Sequence, residues 1–167
     1  MLAAFPVRPF RPRKNGPPYD ESELVGVDQS DGMRHLNTAP VEGAFQVGKP
    51  RRSNSDDAID CYLWVIDERG IPSISEAPLK RIGPGRLHHT NLTGGGDASV
   101  GGELWFETAD ALYVDGSSGR YPPSSPAHLA HAVRLFEAAG FTVNSLGWDE
   151  ETDQAFRFLR ENGRDRS

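Results

Sequence analysis

A chain of 167 residues, with 37% hydrophobic and 25% charged side chains, has material for one globular core but not comfortably for two. Its net charge of −6 is unevenly spread: residues 1–57 hold eight Lys/Arg and eight Asp/Glu, and residues 58–167 hold ten and sixteen. The acidity of 58–167 argues against nucleic acid as a partner of that part, because such affinity comes largely from neutralised phosphates.

No apolar run approaches the roughly 20 residues needed to cross a bilayer, so no membrane partner is expected. The single cysteine, Cys61, excludes an intramolecular disulfide and reads as a small buried hydrophobe. Pro6 cuts short the apolar start, and Arg8, Arg11, Arg13 and Lys14 follow it, the reverse of a secretory signal. A cytoplasmic chain is therefore expected.

Residues 1–57 read as a proline-rich, partly disordered arm. Arg8-Pro9-Phe10-Arg11-Pro12-Arg13 and Pro17-Pro18 favour extended polyproline conformations, and Arg51–Asp57 is a polar linker signal. Leu24–Val27 and Ala44–Val47 are each suited to a short edge strand. Residues 58–167 then read as one domain. Ile59, Cys61, Leu63 and Val65 alternate with Asp60, Tyr62, Trp64 and Ile66, which predicts a strand. Asp67-Glu68-Arg69-Gly70 predicts a hairpin turn into a partner strand at Ile71–Ile74. Further strands are expected at Arg86–Leu92, Val100–Phe106 and Leu112–Val114.

Ser125 before Pro126 predicts a helix start. Leu129, Val133 and Phe136 supply its apolar face, and Gly140 its stop. Phe141–Val143 is a last short strand. Asp149 with Glu150 and Glu151 predicts a final helix anchored by Phe156 and Leu159 and ended at Gly163. The expectation is an α+β fold: an antiparallel sheet of about five strands in a hairpin meander, with two C-terminal helices packed on it.

The densest unusual stretch is Leu87–Gly96, followed by Gly101-Gly102-Glu103 and Ser117-Ser118-Gly119-Arg120-Tyr121. Three consecutive glycines let backbone approach another group closely and expose N–H donors. His88 and His89, on a strand, would face opposite ways, and alternation leaves open which meets a cleft. The candidate ligand-binding residues are His89, Thr90, Gly94, Gly95, Gly96, Ser118, Arg120 and Tyr121. His89, Tyr121 and Glu103 are the candidates for chemistry, and Glu103 is the expected partner of Arg120. No metal site is expected. His128 and His131 share a helical face, but nothing nearby completes a tetrahedral set. Ser118, His89 and Asp115 are the ingredients of a triad but come without a nucleophile-elbow motif.

Across Gly85–Pro123 the chain resembles a domain of bacterial secreted effectors, multidomain toxins and plant IQ-motif calmodulin-binding proteins. That domain's pattern is a histidine with two serines, a glycine pair, an alanine-glycine step, and Ser-Gly-His-Tyr with a proline soon after. His89, Gly95-Gly96, Gly101-Gly102, Ser118-Gly119-Arg120-Tyr121 and Pro123 occupy these places in register. Thr90 and Asn91 stand where the serines are usual, and Arg120 where the second histidine is. If that histidine performs chemistry in the family, this member binds without catalysing.

Two functions follow as expectations. One is a non-enzymatic binding or accessory module of a toxin/effector-type system, immunity-like, with a protein partner, no cofactor and a glycine-rich cleft around His89 and Tyr121. The alternative is an NAD-dependent ADP-ribosyltransferase-like enzyme, with His89, Tyr121 and then Glu150 or Glu151 in chain order.

Overall fold

The computed structural model describes residues 5–40 and 44–160. The elements in chain order are β1 (Arg34–His35), β2 (Tyr62–Ile66), β3 (Pro72–Ser75), α1 (His89–Thr93), β4 (Val100–Thr108), β5 (Ala111–Val114), α2 (Pro126–Ala138), β6 (Thr142–Ser145), β7 (Trp148–Asp149) and β8 (Gln154–Ala155). Six strands form one sheet in the order β1-β3-β2-β4-β5-β6, and β7 and β8 form a separate small hairpin. The sheet is mixed, because β6 runs parallel to β5 while the other neighbours are antiparallel. This corrects the expected five-stranded antiparallel meander. α2 carries the chain across one face of the sheet before β6 begins, and such a crossover returns a strand parallel to the one it left.

The two expected C-terminal helices are corrected as well. α2 starts as its sequence dictates: the Ser125 hydroxyl accepts from the His128 amide at 3.1 Å with Pro126 in the first turn. Gly140 takes a φ of +104° just beyond its end. The segment from Asp149 instead forms the β7–β8 hairpin. The Asp149 carboxylate accepts from the amide of Glu151, two residues on, at 3.0 Å, and Asp153 adopts a φ of +55°. An acidic residue that closes an Asx turn competes with its own role as a helix cap. Gly163 lies outside the described residues.

The second helix of the fold is α1, placed where a third strand was expected. The Asn91 side chain accepts from the His88 amide at 2.8 Å, and Gly94 ends the helix with a φ of +62°. α1 and α2 lie on opposite faces. Leu92 of α1 joins Leu63, Val65, Ile74 and Tyr121 in one core, while Ala132, Leu135 and Phe136 of α2 join Trp64, Ile66, Leu104, Phe106 and Val114 in the other. Consecutive β2 residues therefore feed two cores, which is why that strand is apolar on both sides.

The N-terminal segment lies along the α1 face. Arg8 and Ala98 exchange backbone hydrogen bonds of 3.1 and 3.0 Å, and β1 pairs with β3. Val27 and Met33 enter the α1-side core, and Leu36 enters the α2-side core. Val27 donates its amide to the Asn91 carbonyl at 3.0 Å, and Val47 makes an isolated parallel bridge to Phe106. No described helix is long and apolar enough to cross a membrane.

Candidate functional site

The short helix α1 and the turn that precedes α2 are joined by close backbone approach at β4. The Gly101 amide donates to the Tyr121 carbonyl at 2.7 Å. A Cβ built on Gly101 would lie 3.0 Å from His89 Cδ2 and 3.3 Å from Ser118 Oγ, so this glycine is what lets the two segments meet. Ser118 Oγ accepts from the Tyr121 amide at 3.0 Å. The Tyr121 hydroxyl donates to the Gly96 carbonyl at 2.6 Å and also meets the Thr93 hydroxyl at 2.8 Å. Gly94 and Gly95 both take positive φ, +62° and +83°, as the turn out of α1 requires. His88 is exposed and His89 faces inward, with Nε2 2.8 Å from the Gly102 carbonyl.

The structure therefore brings His89, Thr90, Gly96, Ser118, Arg120 and Tyr121 together on the α1 face of the sheet. They converge as a packed polar cluster, with Thr90 and Tyr121 fully buried and His89 8% exposed. Its centre is Glu23, a residue that sequence reasoning missed. The Glu23 carboxylate receives the Thr90 hydroxyl at 3.0 Å and both Nε and Nη2 of Arg120 at 2.8 and 2.9 Å. The same arginine donates through Nη1 to the carbonyls of Arg11 and Pro18 at 2.9 and 3.0 Å. Glu23 sits in a 3₁₀ turn, where it also accepts from the Asp20 amide at 3.1 Å. Its Asp-x-x-Glu spacing is a capping-box signal, but nothing in that spacing points across 97 residues to Arg120. Burial alone would raise the Glu23 pKa; the Arg120, Asp20 and Thr90 hydrogen bonds outweigh it and hold the carboxyl below its ordinary value. For His89, burial pushes the pKa down and keeps the ring neutral.

Glu103 does not join this cluster, and Glu23 takes its expected place as partner of Arg120. Glu103 instead accepts from the Cys61 thiol at 3.1 Å and lies beside Glu76. Burial and the neighbouring Glu103 charge push the Cys61 thiol far up, so it stays protonated and unreactive. Asp115, just past the end of β5, donates its amide to the Glu103 carbonyl at 2.9 Å and is fully buried. Its Oδ1 accepts from the Glu103 and Ser117 amides, while its Oδ2 has no partner among the described residues. Burial, and then the Glu103 charge, raise its pKa well above the usual carboxylate value.

His128 is a second buried polar group with a defined role. Its Nδ1 accepts from the Ser124 amide at 3.0 Å, so Nε2 carries the proton and donates to the Ser99 hydroxyl, also 3.0 Å away. In that tautomer the ring cannot act as a base toward Ser99. Burial lowers its pKa to about 4.

Next to the packed cluster the surface opens into a cavity of about 780 Å³. It is lined by the Gly116–Arg120 loop, Pro122, Pro123 and Ser124, by Arg8 and Arg11 of the N-terminal segment, and by Arg157 and the β8 hairpin. Arg8 and Arg11 are each tied to one wall: Arg8 Nη2 donates to the Pro122 carbonyl, and Arg11 Nε donates to the Gly119 carbonyl at 3.2 Å. No protein family, curated protein or solved structure matches the chain.

Proposed function

We propose that this chain is a non-catalytic binding module, an accessory or immunity-like component of a toxin/effector-type system that docks a protein partner beside the Ser118–Tyr121 turn. One observation carries the reading. The groups that would perform chemistry are already committed to one another: Tyr121 is buried and hydrogen-bonded to Gly96 and Thr93, Arg120 is locked on Glu23, and the His89 ring rests on the Gly102 carbonyl. A tyrosine with no exposed surface has no face to stack on a nicotinamide ring. Glu150 and Glu151, the acids of the transferase alternative, are exposed in the turn between β7 and β8. Arg120 in place of histidine supports the same reading, since it supplies an ion pair in which Glu23 is fully buried.

The test is to capture partners with tagged wild-type chain and with an Arg157→Glu variant, identify them, and rebuild the complex from purified components. A stoichiometric complex lost in the variant is the expected result. Release of nicotinamide from NAD by the purified chain, abolished in His89→Ala, would overturn the reading in favour of the transferase.

A further inference from the structure

The cavity beside the cluster is lined by more cations than acids. Among the described residues Arg13, Arg69, Arg81, Arg86 and Arg120 each pair with a carboxylate. Arg34, Arg51, Arg52, Arg134, Arg8, Arg11 and Arg157 form no ion pair among the described residues, and of these the last three line this one cavity. One acid, Asp153, shares the wall, and its carboxylate is engaged by the Trp148 indole N–H at 3.3 Å. In a chain of net charge −6, this concave site is lined by four arginines, Arg120 included, and one acid, and of the four only Arg120 is ion-paired among the described residues. A guanidinium keeps its charge at any working pH and has five N–H donors. The single carbonyl contacts of Arg8 and Arg11 leave most of theirs open.

We infer that this cavity binds a phosphate-bearing ligand, with Arg8, Arg11 and Arg157 as the phosphate contacts and Ser117 and Ser124 as hydroxyl donors on its rim. Three cations call for more than one negative charge, which a phosphoryl group supplies and a lone carboxylate does not. The volume of about 780 Å³ is far more than a free phosphate fills and falls in the range of sites for whole small ligands or side chains. Pro9, Pro122, Pro123 and Ala155 give the remainder of the ligand a partly apolar wall. The phosphate can belong to a nucleotide-like small molecule or to a phosphorylated side chain of a docked protein. Arg8 and Arg11 come from the N-terminal segment and Arg157 from beyond the β7–β8 hairpin. The site is therefore assembled from the N-terminal segment and the stretch just after β8.

This inference rests on the binding reading above and names what that site recognises. The experiment is a calorimetric titration of the full chain at low salt with pyrophosphate, with ADP, with a phosphoserine peptide and with citrate. Saturable binding of at least one phosphate probe is expected, tighter than citrate and weakened by salt. Arg11→Ala and Arg157→Ala should each lower that affinity about tenfold at unchanged melting temperature, while Arg134→Ala on α2 should not change it. ADP binding more tightly than the peptide assigns a small-molecule source, and the reverse assigns a protein-borne phosphate. No saturable binding of any phosphate probe, citrate binding as tight as pyrophosphate, or affinity indifferent to both arginine variants would overturn the inference. A partner complex that survives when every phosphate probe fails would leave the binding reading standing and remove only the phosphate.

Discussion

Single residues decide how closely the segments of this fold can approach. A Cβ on Gly102 would lie 2.0 Å from the Asp115 carbonyl oxygen and 2.7 Å from the Trp64 ring, so no side chain fits without moving backbone. Gly102→Ala is expected to cost roughly 2–4 kcal/mol, the upper range for overpacking, read as a fall in the urea midpoint. Asp115 is the other residue with a measurable signature. Its folded pKa is raised above the unfolded value of 3.8, so the folded chain keeps a proton that the unfolded chain releases. Stability from this group is present at acid pH and is lost as pH rises from about 4 toward the raised folded value. Asp115→Asn keeps the Oδ1 acceptor but does not titrate. Urea unfolding at a series of pH values from about 4 upward should therefore show wild type losing more stability than the variant. A steeper loss in the variant would contradict a protonated Asp115.

Elements show where local signals were overruled. Strand β2 was legible as an apolar run, the Asp67–Gly70 turn by its glycine, β4 and β5 by the turn at Asp110 between them, and helix α2 by its cap and apolar face. The expected strand at Arg86–Leu92 gave way to α1 because Asn91 satisfies two sets of groups at once. Its Oδ1 holds the His88 amide, and its Nδ2 donates to the Ser22 and Val25 carbonyls at 3.0 and 2.8 Å. That second set lies in the N-terminal segment, invisible to any window around Asn91. The same coupling leads to an expectation about residues 1–57. Removing them exposes Tyr121 and Leu92, deletes Leu36, Val27 and Met33 from the two cores, and leaves Arg120 without Glu23. A chain starting at Ala58 should thus lack a cooperative thermal transition, and limited proteolysis of the full chain should not stop near Ala58. A stable, cooperatively melting 58–160 fragment would show that the segment merely decorates the domain.

At the scale of the molecule, one sheet covered on both faces explains how a short chain holds two small cores and a buried polar cluster. β2 supplies both cores, so its run is apolar on both sides and does not show which face is which, while β4 gives Val100, Leu104 and Phe106 to the α2-side core. The polar cluster then sits on the face where α1 and the N-terminal segment close over it, and the open cavity lies at its margin. In that arrangement the polar side chains of the Leu87–Gly96 and Ser117–Tyr121 stretches join segments, and the cavity wall is built largely from arginine, serine and proline.

By itself the sequence determined the components: an apolar strand run after residue 58, a capped helix from Pro126, a glycine loop after Leu92, and a polar turn at Ser118–Tyr121 that belongs with His89. Those are properties of spacing, and spacing is local. Tertiary structure alone decided that β6 runs parallel, that Asp149 closes a hairpin, that Glu23 rather than Glu103 holds Arg120, and that Arg8, Arg11 and Arg157 face one cavity. Each of these joins groups far apart in the chain or depends on which of two local hydrogen-bonding options packing rewards. The Glu23–Arg120 pair spans 97 residues, and only the closing of the N-terminal segment over α1 brings its two charges within 2.8 Å.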